Sequence, residues 1–187
     1  MRTRIRDGDE TAFGELFDEF AKAVYNHAYR LVGDWSAAED VVSLTFLEAW
    51  RLRTRIDADG GSLRPWLLGI ATNVARNQRR AARRHREAMS RMPPPEPMPD
   101  FAEELVGRLG DAQRLADVRA AYLGLRRQEQ DVLSLCAGAG LDYAEAAEAL
   151  GIPVGTVRSR LSRARRKLEL ASRRGQVVGD LTTEAIP

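Results

Sequence analysis

The segment from Leu141 to Leu168, LDYAEAAEALGIPVGTVRSRLSRARRKL, is the part of the sequence that most limits what the chain can fold into. Gly151 separates two stretches of helical apolar spacing, and Pro153 opens the second helix, where its missing N–H costs nothing. Two helices joined by a tight glycine turn predict a helix-turn-helix. The second helix has one apolar stripe, formed by Val154, Val157, Leu161, Ala164 and Leu168.

The second of these helices is strongly basic. From Pro153 to Arg174 there are seven Arg and one Lys against one Glu, a net charge of +7. A basic helix is often only a solvated face, but so lopsided a charge on one helix is typical of phosphate binding. The second helix of a helix-turn-helix enters the major groove. We therefore expect duplex DNA contacts from the residues that point away from the apolar stripe or flank it: Arg158, Ser159, Ser162, Arg163 and Arg166.

The run GIPVGTVRSRLSRARRKL closely resembles the C-terminal signature of the extracytoplasmic-function (ECF) sigma factors of bacterial RNA polymerase. A generic helix-turn-helix would not share the whole of that run. The resemblance implies an all-α protein with two small helical domains, sigma domain 2 and a helix-turn-helix sigma domain 4. It also implies that the basic helix reads the minus-35 promoter element as a duplex.

Composition narrows the other possibilities. The 187 residues suit two small domains, and an apolar content of 44% is enough for compact cores. Cys136 is the only cysteine and is predicted to be a small core residue, and it shares no metal-like spacing with His27 or His85. No apolar run approaches ~18 residues, and the N-terminus lacks a signal-peptide core. We expect a cytoplasmic protein with no cofactor, metal, membrane insertion or catalytic constellation, and therefore not an enzyme.

Two helices are predicted near the start of the chain. The first runs from Asp9 to about Val32 and is ended by Gly33. Its apolar stripe is predicted to be core and consists of Phe13, Leu16, Phe17, Phe20, Val24 and His27 or Ala28. The second helix, SAAEDVVSLTFLEAWRLR, has an inward stripe of Val42, Thr45, Phe46, Ala49 and Trp50.

The outer face of this second helix carries Asp40, Leu44, Leu47 and Arg51. Two leucines opposite a complete core indicate a partner surface, and the alternative is a helix buried on both sides. The resemblance implies that this helix binds the clamp helices of the largest polymerase subunit. Many relatives have a glutamine and an acidic residue where this chain has Ser43 and Leu44, which predicts a more apolar contact.

A long helix is predicted from Leu63 to about Met89, and its second half is basic. From Arg76 to Arg91 there are seven Arg and one Glu, a net charge of +6. Asparagine can read base edges, while arginine binds phosphates. The run IATNVARN resembles the ECF segment that binds the unwound non-template strand of the minus-10 element. The contacts we expect there come from Asn73, Asn77, Arg76, Arg79 and Arg80.

The loop from Ile56 to Ser62 precedes this helix. The resemblance implies that it captures a base flipped out of the minus-10 element. Many relatives place a stacking aromatic in this loop, and this chain offers Ile56 and small polar residues.

The clearest domain boundary is MPPPEPMPD, from Met92 to Asp100, where five prolines in nine residues favour an extended linker. We expect sigma domain 2 at 1–91, a linker at 92–112, sigma domain 4 at 113–171 and a flexible tail at 172–187. Within the second domain, helices are predicted from Arg114 to Leu125 and over RRQEQDVLSLCAGAGL.

These features predict a sigma factor that binds core polymerase, the minus-35 duplex and the melted minus-10 strand, and family membership implies an anti-sigma factor as a further partner. The main alternative is an autonomous helix-turn-helix regulator that binds duplex DNA as a dimer without polymerase. That alternative leaves the exposed leucines and the Asn–Arg helix without a role. A third hypothesis is an RNA-binding or protein-interaction module that uses the basic segment after Arg76, and dependence on duplex DNA would exclude it.

Overall fold

The computed structural model describes residues 1–89 and 120–183, with side chains for 1–84 and 120–170. Over these ranges the fold is all-α, as predicted. The predicted linker and the predicted start of sigma domain 4 lie outside the described residues. The α-helices are α1 (Arg2–Arg6), α2 (Glu10–Val32), α3 (Trp35–Leu52), α4 (Arg64–Met89), α5 (Arg127–Leu133), α6 (Tyr143–Leu150) and α7 (Val154–Thr183). A 3-10 turn at Arg53–Arg55 follows α3, and a π-helical turn at Ser134–Gly138 follows α5.

Local side-chain chemistry fixes the ends of α2 and the start of α3. The Asp9 carboxylate accepts a hydrogen bond from the Ala12 N–H at 3.0 Å, which caps the start of α2. Gly33 ends α2 in the left-handed region, at φ 74°. Asp34 then caps α3 by accepting from the Ala37 N–H at 2.8 Å. The predicted end of the first helix at Gly33 is therefore confirmed.

Helices α2, α3 and α4 pack together and form the core of the first half. The predicted stripe of α2 is only partly right, because Phe17 lies at the edge of the core and is 43% exposed, with its ring against Phe46. The buried stripe of α3 is shifted, because α3 packs against both α2 and α4, and Val42 and Trp50 are only half-buried. The buried positions of α3 are Ala38, Val41, Thr45, Phe46 and Ala49.

Helices α5, α6 and α7 pack together in the second half, and α6 and α7 form the predicted helix-turn-helix. Val157, Leu161 and Ala164 are buried as predicted. Val154 is exposed, which corrects the predicted stripe, because it lies in the first turn of α7 ahead of the packed part. Pro153 precedes the helix by one residue, and its carbonyl accepts from the first turn. Helix α7 also continues to Thr183, past the predicted start of a flexible tail at 172.

The two halves also pack against each other, which the sequence analysis did not predict. Helix α4 crosses α6 closely enough that Gly69 lies against the backbone of Ala149. The Arg64 guanidinium donates to the carbonyl of Ala139, and the buried His27 ring hydrogen-bonds to Ser134 Oγ at 3.1 Å. Residues of both halves therefore belong to one continuous core.

Gly69→Ala is expected to weaken the contact between the halves. A methyl group at this position would overlap the carbonyl oxygen of Ala149, and backbone cannot move aside as a flexible side chain can. Overpacking of this kind costs ~1–3 kcal/mol, although alanine favours a helix over glycine by ~1 kcal/mol. We expect a lower urea midpoint and a larger radius of gyration in small-angle scattering. Gly14→Ala in α2 is the matched control, since its methyl group meets no atom within 4 Å. A Gly69→Ala protein with both values at or above wild type would contradict the contact.

Candidate nucleic-acid and polymerase interfaces

One face of α7 carries all five residues predicted to contact the minus-35 duplex, and all five are exposed: Arg158, Ser159, Ser162, Arg163 and Arg166. Two of the arginines have defined positions. The Arg163 Nε donates to the Ser159 carbonyl at 3.1 Å, and the Arg158 guanidinium lies 5.7 Å from the ring centroid of Tyr143. The structure thus brings the predicted residues together as one basic face with pre-ordered side chains.

Helix α6, which precedes α7, is fixed at its start by a capping box and ends at a glycine. Asp142 accepts from the Ala144 and Glu145 N–H groups at 2.8 Å, and the Glu145 carboxylate accepts in return from the Asp142 N–H at 2.9 Å. Gly151 adopts φ 62°, a conformation that side chains disfavour, and so allows the sharp turn into α7. The chain therefore turns sharply between a capped α6 and the N-terminal turns of α7.

Lys167 lies on α7 but is not part of the exposed basic face. Its Nζ donates to the Glu129 carboxylate of α5 at 2.7 Å and 3.0 Å, and the Glu129 side chain is only 5% exposed. This ion pair anchors α7 to α5. The α7 arginines that the sequence analysis assigned to DNA make no ion pair of this kind among the described contacts.

The residues predicted to bind the minus-10 strand divide into two groups. Asn73, Asn77 and Arg80 are exposed on α4. Arg76 is engaged, because its Nε and Nη2 donate to one oxygen of Asp131 at 3.0 Å and 2.8 Å. Arg79 is engaged as well, and both its Nη groups donate to Gln130 Oε1. The sequence analysis expected contacts to the melted strand from all five, and in this conformation Arg76 and Arg79 are instead bonded to α5.

The partners of these two arginines are held firmly on α5. Gln130 is 1% exposed, and its amide group donates to the Tyr122 carbonyl at 2.9 Å, which fixes its oxygen towards Arg79. Asp131 is 1% exposed, and burial raises the pKa of its carboxyl group although the charge of Arg76 opposes that shift. The sequence analysis predicted a helix over this segment but missed both partners. There was no local signal in the sequence, because the polar run RRQEQD has the same pattern as a solvent-exposed start of a helix.

The predicted polymerase surface on α3 is exposed. Leu44 is 43% exposed and Leu47 is 66% exposed, and Asp40 and Arg51 also face solvent. An open groove of about 440 Å³ between α3 and α4 is lined by both leucines. The same groove is lined by Arg51 and by two predicted minus-10 residues, Asn73 and Asn77. The structure therefore joins two surfaces that the sequence analysis treated separately.

The structure also corrects the expectation that Ile56, in the loop before α4, is available to a captured base. Ile56 is 4% exposed and belongs to the core, so it cannot offer its side chain to a base. The exposed part of the loop is 57–62, with Ala58 half-buried.

Cys136 is half-buried, and burial raises the pKa of its thiol. Over the described ranges, no three His, Cys, Asp or Glu side chains group as a metal site would require. No helix in the same part of the chain is long and apolar enough to cross a membrane.

The sequence matches two protein-family models. Residues 16–85 match Sigma-70 region 2, and residues 115–168 match Sigma-70, region 4. The ECF RNA polymerase sigma factor SigL of Mycobacterium tuberculosis is 35% identical over 158 residues, which cover 83% of this chain and 85% of SigL. The RNA polymerase sigma factor NccH of Alcaligenes xylosoxydans xylosoxydans is 31% identical over 188 residues, which cover 95% of each chain. ECF sigma factor SigE of Mycolicibacterium smegmatis is 34% identical, and the match spans only 63% of its length.

Two solved structures are similar to the fold as a whole. CnrH, in complex with the cytosolic domain of CnrY, matches with a TM-score of 0.65 and 27% identity, over 90% of this chain and 92% of CnrH. The sigma factor RpoE from Bartonella quintana, in complex with the anti-sigma factor NepR, matches with a TM-score of 0.65 and 26% identity, over 86% of this chain and 96% of RpoE. With these matches and the helix-turn-helix, the chain belongs to the ECF sigma factors of the sigma-70 family.

Proposed function

We propose that this sigma factor recruits core RNA polymerase through the groove between α3 and α4 and recognises promoters through α7 and α4. Sigma factors are DNA-binding regulatory proteins, and these are the surfaces of this chain that would do the binding. The observation that carries it is the exposed basic face of α7, which follows the sharp turn at Gly151. Its partners are core polymerase and promoter DNA, so the protein acts in the bacterial cytoplasm.

On α7, the proposed contacts are to the minus-35 duplex. Arginine can donate two hydrogen bonds to the major-groove edge of guanine, and serine hydroxyls can bond to either bases or phosphates. Arg158 and Arg163 are the candidates for base contacts, and Arg166, further along the helix, for phosphates. Ser159 and Ser162 complete the same exposed face.

On α4, the proposed contacts are to the melted minus-10 strand. Asn73 and Asn77 face the open groove and can bond to exposed base edges, with Arg80 on phosphates. Arg76 and Arg79 would bind phosphates only after they leave Asp131 and Gln130, so their part in strand binding requires these side-chain contacts to break. The loop at 57–62 would receive the flipped base. Binding of unpaired bases would shift the promoter towards its open form, because differential affinity moves an equilibrium.

Leu44 and Leu47, with Asp40 and Arg51 beside them, would contact the clamp helices of the largest polymerase subunit. The similar sigma factor RpoE was solved with an anti-sigma factor, which supports an anti-sigma factor as a further partner of this chain.

Run-off transcription on a genomic promoter library tests the proposed function. Core polymerase is used with and without the full chain. Discrete start sites that require the protein and share an upstream and a downstream motif at fixed spacing are the expected result. If no starts appear while the protein still retains duplex DNA, the autonomous-regulator hypothesis replaces this one.

Arg163→Ala is expected to weaken binding to the minus-35 duplex by ~1–3 kcal/mol if Arg163 contacts a guanine. The loss should depend on the sequence, so the ranking of promoters should change. Fluorescence anisotropy of the polymerase complex on promoter variants measures both effects. Arg165→Ala is the matched control, since Arg165 is exposed on the same helix and lies outside the predicted face. An unchanged promoter ranking would rule out base contact by Arg163.

A further inference from the structure

The loop at 57–62 is held by a residue of the first helix, more than fifty residues away in sequence. Arg2 on α1 donates from Nε to the Gly61 carbonyl at 2.6 Å, from Nη1 to the Asp57 carbonyl at 2.7 Å and from Nη2 to the Ser62 carbonyl at 3.0 Å. One guanidinium group therefore joins three backbone carbonyls that are up to five residues apart. No other described side chain makes so many hydrogen bonds to this loop.

The loop needs such a support, because its own contacts are few. Its ends are anchored where Ile56 and Leu63 are buried in the core. Between these anchors, Asp57 accepts from the Asp59 N–H at 3.1 Å, and the Gly60 N–H lies 3.5 Å from the Asp57 carbonyl. Two consecutive glycines without side chains would leave such a backbone with many accessible conformations.

Helix α1 is itself fixed, so Arg2 can act as a rigid brace. Ile5 is fully buried in the core, and the Arg4 guanidinium bonds to the Asp9 cap of α2 at 2.7 Å. The absence of a side chain at Gly60 leaves room for the Arg2 guanidinium group. A methyl group on Gly60 would lie 2.5 Å from Nη1 and 2.8 Å from Cζ of Arg2, whereas one on Gly61 would meet no atom within 4 Å.

We propose that Arg2 is a positioning residue that holds the loop at 57–62 in one conformation, ready for the base captured from the melted strand. This inference rests on the proposed function of the loop. A loop that is ordered before binding does not lose conformational entropy when the base arrives, and binding is tighter for that reason. Arg2 therefore acts on base capture without touching the base.

The test uses full-length protein bound to core polymerase and a single-stranded minus-10 oligonucleotide. Each position is replaced in turn by an abasic nucleotide, and the position with the largest loss of affinity in wild type is taken as the captured base. The measured quantity is the ratio of affinities for the intact and the abasic strand at that position. We expect Arg2→Lys and Gly60→Ala to lower this ratio about tenfold, because each removes the three-carbonyl contact.

Gly61→Ala is the matched control and should keep the wild-type ratio. Binding to a minus-35 duplex should be unchanged in all variants, which separates loss of the brace from misfolding. Wild-type ratios in both Arg2→Lys and Gly60→Ala would overturn the proposal. The proposal would also be overturned if Arg2→Ala weakened binding to the intact and the abasic strand equally while Arg2→Lys bound both as wild type does. That result would indicate a phosphate contact, which depends mainly on charge. If wild type tolerates abasic nucleotides everywhere, base capture itself fails, and the role of Arg2 fails with it.

Discussion

Replacing Leu44 and Leu47 together by aspartate is expected to reduce the affinity for core RNA polymerase about a thousandfold. Both leucines are exposed in the free chain, at 43% and 66%, and line the groove between α3 and α4. Covering a leucine side chain contributes ~1.5–3 kcal/mol. Two partly exposed leucines therefore contribute about 3 kcal/mol, and placing carboxylates in an apolar contact adds about 1–3 kcal/mol. Each 1.4 kcal/mol corresponds to about a tenfold change in affinity.

The conservative pair Leu44→Met and Leu47→Met is the control, because methionine keeps the surface apolar and of similar volume. Titration of labelled protein with core polymerase measures the affinities of both double variants. Both should fold as wild type, since neither leucine is a core residue, and circular dichroism checks this. An aspartate variant that binds polymerase within a few-fold of wild type would place the polymerase surface elsewhere.

Acidification is expected to destabilise the fold steeply through His27, which is fully buried. The Thr72 hydroxyl donates to the Leu68 carbonyl at 2.7 Å, so its oxygen accepts from His27 Nε2 at 2.8 Å. His27 Nδ1 then accepts from the Ser134 hydroxyl at 3.1 Å. The ring is therefore required in its neutral form, and a second proton would have no acceptor.

Burial, and secondarily the charge of Arg30, lowers the pKa of His27 from its ordinary value to about 3. In the unfolded chain this histidine binds a proton below a pH of about 6.5, while the folded chain does not. The stability contributed by neutral His27 is thus complete above about pH 6.5. It is lost as the pH falls towards 3, by up to about 1.4 kcal/mol per pH unit.

Comparison with His27→Gln isolates this titration, because other groups, Asp131 among them, titrate in both proteins. Urea unfolding at pH 7 and pH 5 should show wild type losing about 2 kcal/mol more than the variant. The variant is expected to be less stable than wild type at pH 7, since glutamine cannot reproduce both ring hydrogen bonds. Parallel stability profiles for the two proteins would mean that His27 accepts a proton in the folded state.

The elements that could be predicted from the sequence are those with local signals. Asp9, Gly33 and Asp34 mark helix ends through contacts within three or four residues, and the helix-turn-helix follows from spacing and Gly151. The exposed faces of α3 and α7 followed from helical periodicity for the same reason. Each of these predictions needs only the geometry of one helix and its nearest neighbours along the chain.

The parts that could not be predicted depend on contacts between distant segments. Arg76 and Asp131 are 55 residues apart, and a basic run facing solvent has the same sequence pattern as one facing a buried carboxylate. Ile56 was predicted to be available in a loop because the residues that follow it are polar. It is buried through contacts in the core, which the loop sequence alone does not show. Which of the exposed groups bind DNA or polymerase stays a prediction, for the experiments above to test.

The position of Arg76 limits how this protein can diverge. In the structure the Nε and Nη2 groups of Arg76 donate to one oxygen of Asp131, a contact that lysine, with its single compact charge, would not reproduce. If the same side chain binds a phosphate of the melted promoter, substitutions at Arg76 alter both its contact with Asp131 and the affinity for DNA. Substitution of Arg76 is therefore constrained both by its contact with Asp131 and by its proposed contact with DNA. Divergence in promoter preference is expected to accumulate first at Arg158 and Ser162, which are exposed and make no contact between the halves.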